Sequence, residues 1–367
     1  MLDRWTHTAL AQQLIFGVGA IDRLPEVIKV LGARKALLVT THGRLASPDG
    51  ERVQRLLGRT LASTFDEVQS HVPVPLVQQA VLQARRDGID VVVSFGGGSC
   101  ADLGKAVCYF MEQEAGMPGA SHIDRPVVPH ISVPTTYSGA ELTPFFGMTD
   151  PATKQKQGAG GSTSAPVVAI YDPDLTTSTP PRVRAETGMN ALAHCVEAAY
   201  SPHRTPEAEA IALAGARRIH EALPQVVADP DDAGARAAML SGAALAGRCL
   251  LNAGMGVHHG LAQLVGGRTA IPHGLANAIL LTHAVAFNAP AVPDEVEQLG
   301  VALGAQAAPA IDALRAELGL PGRLSEVGVA EEDLEAVARL SQANQNVARN
   351  PRPVSESDAL AILRAAW

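Results

Sequence analysis

The stretch Asp90-Val-Val-Val-Ser-Phe95 runs directly into Gly96-Gly97-Gly98-Ser99, and a helix-forming segment, Asp102–Met111, follows at once. A short apolar run of this kind reads as a strand covered on both faces. The glycines let the backbone approach a ligand closely. The helix start beyond them offers free N–H groups and a positive dipole end to a phosphate. Other apolar runs, Ala36–Thr40, His130–Val133 and Val167–Tyr171, read as strands, and Ile21–Val30, Glu51–Leu61 and Leu76–Asp87 read as helices. This alternation predicts an α/β domain over residues 1–178, a parallel sheet with helices on both faces. After Pro180-Pro181 the composition shifts to Ala-rich helical patterns, broken by a Gly/His-rich segment at 252–274. Residues 179–367 are therefore expected to form an all-α domain.

The glycine turn lacks the G-x-G-x-x-G spacing and follows a later strand, which disfavours the Rossmann arrangement. Its context predicts a pyrophosphate on Gly97, Gly98 and Ser99, with Ser99 also capping the helix. Asp102 is a candidate partner for a ribose or an amide, or a solvated charge. Thr135, Thr136 and Ser138 follow a neighbouring strand and are placed to meet the same cofactor, or to act only as local caps. The strand at 36–40 ends in Thr41, where an acidic residue would bind a ribose 2′-hydroxyl and repel a 2′-phosphate. With Arg44 close by, NADH and NADPH both remain open.

In the second half, Gly188–Glu197 read as a helix puts Asn190, His194 and Glu197 on one face. His258, His259, His273 and His283 then cluster among glycines in an otherwise Ala/Leu-rich region. Imidazoles from separate helices that converge suggest a metal or a catalytic pocket, and a lone one is more often a satisfied core residue.

Composition narrows the partners. The formal net charge of −8 argues against nucleic acid and against an anionic membrane surface. With 47% hydrophobic and 18% charged residues, disorder is not expected. The four cysteines lack CxxC pairing and read as reduced core residues. No run reaches transmembrane length, and a soluble cytoplasmic protein is expected.

Taken in order, Phe16-Gly-Val-Gly-Ala-Ile, the GGGS with Asp102 and Lys105, Pro134-Thr-Thr, Asp172-Pro-Asp-Leu, Gly188-Met-Asn-Ala-Leu-Ala-His and Pro272-His-Gly resemble the iron-dependent alcohol dehydrogenase superfamily. Its fold is related to dehydroquinate synthase. Within it the chain is most similar to the maleylacetate reductases, through Asn190, the His258-His259 doublet, Thr136–Pro144 and Asn350-Pro-Arg-Pro353. The resemblance places the family's metal ligands, an Asp and three His, on Asn190, His194, His259 and His273, and a further pocket His on Gln263. With the carboxylate replaced by an amide, no metal is expected; if one binds, His194, His259 and His273 hold it.

The resemblance implies an NAD(P)H-dependent reductase acting on an unsaturated oxo-dicarboxylate, a homodimer and a nicotinamide in the cleft between the domains. His194, His259 and His273, with Asn190 and His258 beside them, are the catalytic candidates. Lys154, Lys156, Arg268 and Arg352 are cations available to substrate carboxylates. A metal-dependent alcohol dehydrogenase and a non-redox enzyme on the same scaffold are the alternatives.

Overall fold

The computed structural model describes residues 5–116, 126–152, 156–269 and 271–367. The chain divides into two compact units. One is Ala9–Thr179; the other joins the N-terminal stretch up to Thr8 to Pro180–Trp367.

The first unit is built on a six-stranded, wholly parallel sheet. Its strands are β1 (Gln13–Phe16), β2 (Ala36–Val39), β3 (Leu61–Phe65), β4 (Val91–Gly96), β5 (His130–Pro134) and β8 (Val168–Tyr171), in the order β1-β8-β5-β4-β2-β3. Strands β6 (Phe145–Thr149) and β7 (Lys156–Gly160) form a separate antiparallel ribbon in the Gly/Thr/Ser-rich region. The helices are α1 (Leu24–Leu31), α2 (His42–Leu45), α3 (Pro48–Leu57), α4 (Val74–Asp87) and α5 (Gly98–Glu114).

The continuous apolar runs explain why the sheet is covered on both sides. Strand β2 sends Leu37 and Val39 into a core with Val77, Ala80 and Val81 of α4 and Leu103 and Val107 of α5. It sends Ala36 and Leu38 into a second core with Val27 and Ile28 of α1 and Val53 and Leu57 of α3. Each such Leu or Val contributes roughly 1.5–3 kcal/mol of burial.

Among the boundaries that differ from the sequence reading, three change the reading of an element. The helix expected over Glu51–Leu61 leaves the α conformation at Leu57, and Leu61 opens an edge strand. That strand buries only Phe65 fully, so it carries little of the apolar signal that marks its neighbours. Helix α5 starts at Gly98, four residues before the expected start. The helix read at Ile21–Val30 begins as a 3-10 turn, Ala20–Arg23, before α1.

The second unit is helical: α6 (Pro181–Tyr200), α7 (Pro206–Ala228), α8 (Ala233–Leu251), α9 (Val257–Thr269), α10 (His273–Asn288), α11 (Pro293–Leu303), α12 (Ala307–Glu317), α13 (Glu331–Ser341), α14 (Gln345–Ala348) and α15 (Glu356–Ala365). Helix α6 packs against α7, α8 and α10. Small residues permit this. A Cβ on Gly188 would lie 2.4 Å from Leu223 Cδ1, and one on Gly215 would lie 2.7 Å from Cys195 Sγ. A separate core joins Leu261 and Val265 of α9, Leu275 and Ile279 of α10, Val337 of α13 and Ile362 of α15.

The N-terminal stretch is tied to this unit. Thr8 N donates to Asn252 Oδ1 at 2.7 Å, Asn252 Nδ2 donates to Thr8 O at 3.0 Å, and His7 Nδ1 meets Thr205 Oγ1 at 3.1 Å. Among the described residues, no helix is long and apolar enough to cross a membrane.

Candidate active site

In the α/β unit the glycine turn closes β4, between the carboxyl ends of β5 and β2. Gly96 has φ +147°, and a Cβ there would meet Cys100 Sγ at 2.5 Å, so only glycine fits. Gly97 is extended and forms the N-cap of α5; its carbonyl accepts from Cys100 N at 2.9 Å and Ala101 N at 3.3 Å. Ser99 therefore lies inside the first turn and does not cap the helix, contrary to the sequence expectation. The first N–H groups of α5 lack intrahelical acceptors, as at any helix start.

The loop after β5 lies against this turn. A Cβ on Gly97 would sit 3.2 Å from Thr136 Cγ2, and one on Gly98 would sit 3.0 Å from Ser138 Oγ. The Thr135 and Thr136 hydroxyls are buried with no hydrogen-bond partner among the described residues. A buried hydroxyl left in this state costs about 1–3 kcal/mol. A ligand with polar edges lying over the glycine turn would satisfy both. The structure thus brings Gly97, Gly98, Ser99, Thr135, Thr136 and Ser138 together.

Asp102 has a different occupation. Its Oδ1 pairs at 2.8 Å with Nζ of Lys105, a fully buried lysine. Lys105 also donates to the Ala140 carbonyl at 2.8 Å and to the Phe145 carbonyl. The pair thereby fastens the 140–145 segment to α5. Thr41 caps α2, its Oγ1 accepting from Arg44 N at 3.3 Å. The Arg44 guanidinium donates to Ser178 Oγ at 2.6 Å and Thr179 Oγ1 at 2.7 Å.

In the helical unit three helices deliver the imidazoles. The His194 ring of α6 stacks on the His259 ring of α9, centroids 4.8 Å apart at 17°. His258 meets His259 edge-on at 4.8 Å, and His273, at the start of α10, lies 6.2 Å from His259. The expected convergence of His194, His259 and His273 is present. His283 stands apart, where Asp312 and Arg315 act on it.

Asn190 and His258 are linked through a residue that the sequence reading did not assign to the site. Asn277 Nδ2 donates to Asn190 Oδ1 at 2.6 Å, and the Asn277 carbonyl faces His258 Nε2 at 2.9 Å. The His273–Asn277 spacing of four on α10 is the signal that puts both on one face.

Glu197 is the second unassigned residue. It is 1% exposed, and its Oε2 lies 2.7 Å from His259 Nδ1. It also accepts from the backbone N–H groups of His258 at 3.0 Å and His259 at 3.4 Å. Burial pushes its carboxyl up, opposed by His258 and these N–H groups. Burial and the neighbouring His259 and His258 hold His194 well below the usual histidine range, and His258 is pushed down to about 4, chiefly by burial. Both shifts favour the neutral imidazole. Buried His194 Nδ1 has no hydrogen-bond partner among the described residues.

Two of the four cations expected for substrate carboxylates, Arg352 and Arg268, are otherwise engaged, and nothing is described of the Lys156 side chain. Arg352 stacks on Phe287 at 4.0 Å, donates to its carbonyl at 3.0 Å and lies 3.6 Å from Asp358. Arg268 pairs with Asp333 at 2.5 Å on the surface. Lys154 lies outside the described residues. Gln263 accepts from Asn346 Nδ2 at 3.1 Å.

The sequence profile "Iron-containing alcohol dehydrogenase" matches residues 11–173, and "Fe-containing alcohol dehydrogenase family, C-terminal" matches residues 184–367. The chain is 36% identical over 366 residues to a maleylacetate reductase of Rhizobium sp. strain MTP-10005, covering 100% of this chain and 98% of that protein. The crystal structure of maleylacetate reductase from Agrobacterium tumefaciens superposes with a TM-score of 0.88 at 34% identity, covering 100% of this chain and 98% of the other. That of a 1,3-propanediol oxidoreductase gives a TM-score of 0.93 at 30% identity, covering 99% and 100%.

Proposed function

Because this chain belongs to the iron-containing alcohol dehydrogenase family, we propose that it is a reductase of maleylacetate, forming 3-oxoadipate in the breakdown of aromatic compounds. It is an NAD(P)-dependent oxidoreductase, and its maleylacetate reductase relatives match it over nearly their whole length. When bound, NADH or NADPH would supply the hydride for the carbon–carbon double bond conjugated to the ketone.

On this reading Gly97, Gly98 and Ser99 bind the pyrophosphate through backbone N–H groups, and the glycines keep side chains out of its way. Thr135, Thr136 and Ser138 hold the cofactor from the β5 side; the orphaned Thr135 and Thr136 hydroxyls support this. Asp102 and Thr41 flank the cofactor and shape the loops around it. In the helical unit, His194, His259 and His273 meet the negative charge that develops on the ketone oxygen, and one of them delivers the proton that completes the reduction.

The observation that carries a metal-free mechanism is Asn190. The resemblance puts the family's one anionic metal ligand at this position. Here it is a neutral amide whose oxygen already accepts from Asn277 at 2.6 Å. Three neutral imidazoles and this amide leave the charge of a divalent iron unbalanced, and the mechanism proposed is metal-free. A second reading, a metal-dependent alcohol dehydrogenase, draws on one observation: Glu197, His258 and His259 bring donor atoms within 4.8 Å of one another. We also propose a homodimer. Strand β1 is a sheet edge that leaves Leu14 and Phe16 exposed.

The test is a spectrophotometric assay of NADH and NADPH oxidation with maleylacetate and with a panel of ketones and aldehydes, with and without Fe²⁺ or Zn²⁺. Turnover of maleylacetate without added metal is expected. Turnover confined to alcohols or aldehydes and dependent on metal would replace this reading with the second.

A further inference from the structure

The contacts of His259 define its protonation pattern. The Asn277 carbonyl can only accept, so His258 Nε2, 2.9 Å away, carries the hydrogen. An imidazole that carries its hydrogen on Nε2 presents a lone pair at Nδ1. That lone pair faces His259 Nδ1 at 3.2 Å. On its other side His259 Nδ1 faces Glu197 Oε2 at 2.7 Å. Were Glu197 protonated toward this ring, His259 Nδ1 would have to accept, and two lone pairs would oppose each other at the doublet. Both Glu197 oxygens already accept from backbone N–H groups, and with these contacts the hydrogen lies on His259 Nδ1, shared between Glu197 and His258.

We propose that Glu197 is a positioning residue that locks His259 as the Nδ1–H tautomer and turns its Nε2 toward the chemistry; the chemical consequence rests on the role of His259 in the function proposed above. Glu197 sets the backbone as well as the ring. Its two oxygens hold the N–H groups of His258 and His259, while Asn350 Oδ1 holds Val257 N at 3.2 Å. The start of α9 is thus anchored at three successive N–H groups by two side chains distant in sequence. Asn350 is itself clamped by Asn288 in both directions, at 3.1 and 2.7 Å. This gives the Asn350-Pro-Arg-Pro motif a place: it braces the helix that carries His259.

The chain of contacts is a lock and not a proton wire. It ends on the Asn277 carbonyl, which cannot take up a proton. A proton delivered from His259 therefore leaves through Nε2, and the Nδ1–H bond to Glu197 persists in both charge states of the ring.

Long-range ¹H–¹⁵N NMR of ¹⁵N-histidine-labelled enzyme tests the proposal, with His259→Gln to assign the signals. The wild type is expected to show His259 protonated on Nδ1. Wild-type His259 protonated on Nε2 overturns the proposal, whatever any variant does. Glu197→Gln keeps an acceptor for the backbone N–H groups and turns an amide donor toward Nδ1, so His259 should switch to the Nε2–H tautomer. In that variant kcat should fall on the order of 10- to 100-fold, with KM for the cofactor within about twofold of wild type. An unchanged His259 tautomer in folded Glu197→Gln overturns the proposal. If that variant does not fold, Glu197→Asp, with the carboxylate drawn back by one methylene, should weaken the lock and expose both tautomers. A switched tautomer in an enzyme whose wild type leaves maleylacetate untouched would sink the substrate reading alone.

Discussion

Asn277 donates to the amide oxygen of Asn190 at 2.6 Å, so the atom that replaces the family's carboxylate oxygen is already an acceptor. Activity is therefore expected to survive prolonged EDTA treatment. Restoring the carboxylate with Asn190→Asp should create affinity for Fe²⁺ or Zn²⁺, read as metal retained through gel filtration. Activity lost on chelation and restored by metal would refute the metal-free mechanism.

Gly98→Asp should abolish cofactor binding. Its Cβ would lie 3.0 Å from Ser138 Oγ, and its carboxylate would occupy the phosphate position at the start of α5. Calorimetric titration with NADH and NADPH on folded variant decides it, and unchanged affinity removes the glycine turn from the site.

His259→Ala should lower kcat on the order of 10²–10³-fold, roughly 3–4 kcal/mol of transition-state stabilisation. Cofactor affinity should stay near wild type, because the cofactor residues belong to the other unit. Near-normal kcat with a lowered melting temperature would return His259 to a packing role.

Lys105→Met should act on stability. It removes the partner of Asp102 and leaves the carbonyls of Ala140 and Phe145 without their donor. Breaking such a buried pair costs about 3–5 kcal/mol. Circular dichroism during urea titration should show the midpoint lowered by about 1 M or more. An unchanged midpoint would mean that the 140–145 segment is held by other contacts.

The fold should loosen in acid through His130. Burial, with Lys105 adding to it, pushes His130 down to about 3 from 6.5. The unfolded chain therefore binds a proton that the folded chain refuses. That stability is complete above pH 6.5 and is lost as pH falls from there toward 3, at about 1.4 kcal/mol per pH unit. Urea midpoints at pH 7.5 and 5.5 should differ less in His130→Gln than in wild type. An equal pH dependence would place the acid-sensitive group elsewhere.

How legible each element is in the sequence depends on how local its cause is. Strands β2 and β4 are buried along their full length, so their composition announces them. Edge strand β3 buries one residue completely and reads as the tail of a helix. The convergence of His194, His259 and His273 follows from helical spacing and clustering. Spacing also puts Glu197 on a face with His194 and Asn277 on a face with His273, but their contacts with His258 and His259 arise from packing between α6, α9 and α10. Arg352 illustrates the converse: its charge suggests a ligand, while in the structure its guanidinium is engaged by Phe287 and Asp358.

The hydrogen bonds between Thr8 and Asn252 bear on biosynthesis. These two residues are 244 positions apart, and the whole α/β unit lies between them in the chain. Thr8 leaves the ribosome long before its partner exists. The α/β unit can complete its sheet during this interval, with the start of the chain still waiting. The helical unit can close only after Asn252 has emerged. A bulky fusion placed ahead of Thr8 is thus carried by the unit made last, although the unit made first lies next to it in sequence.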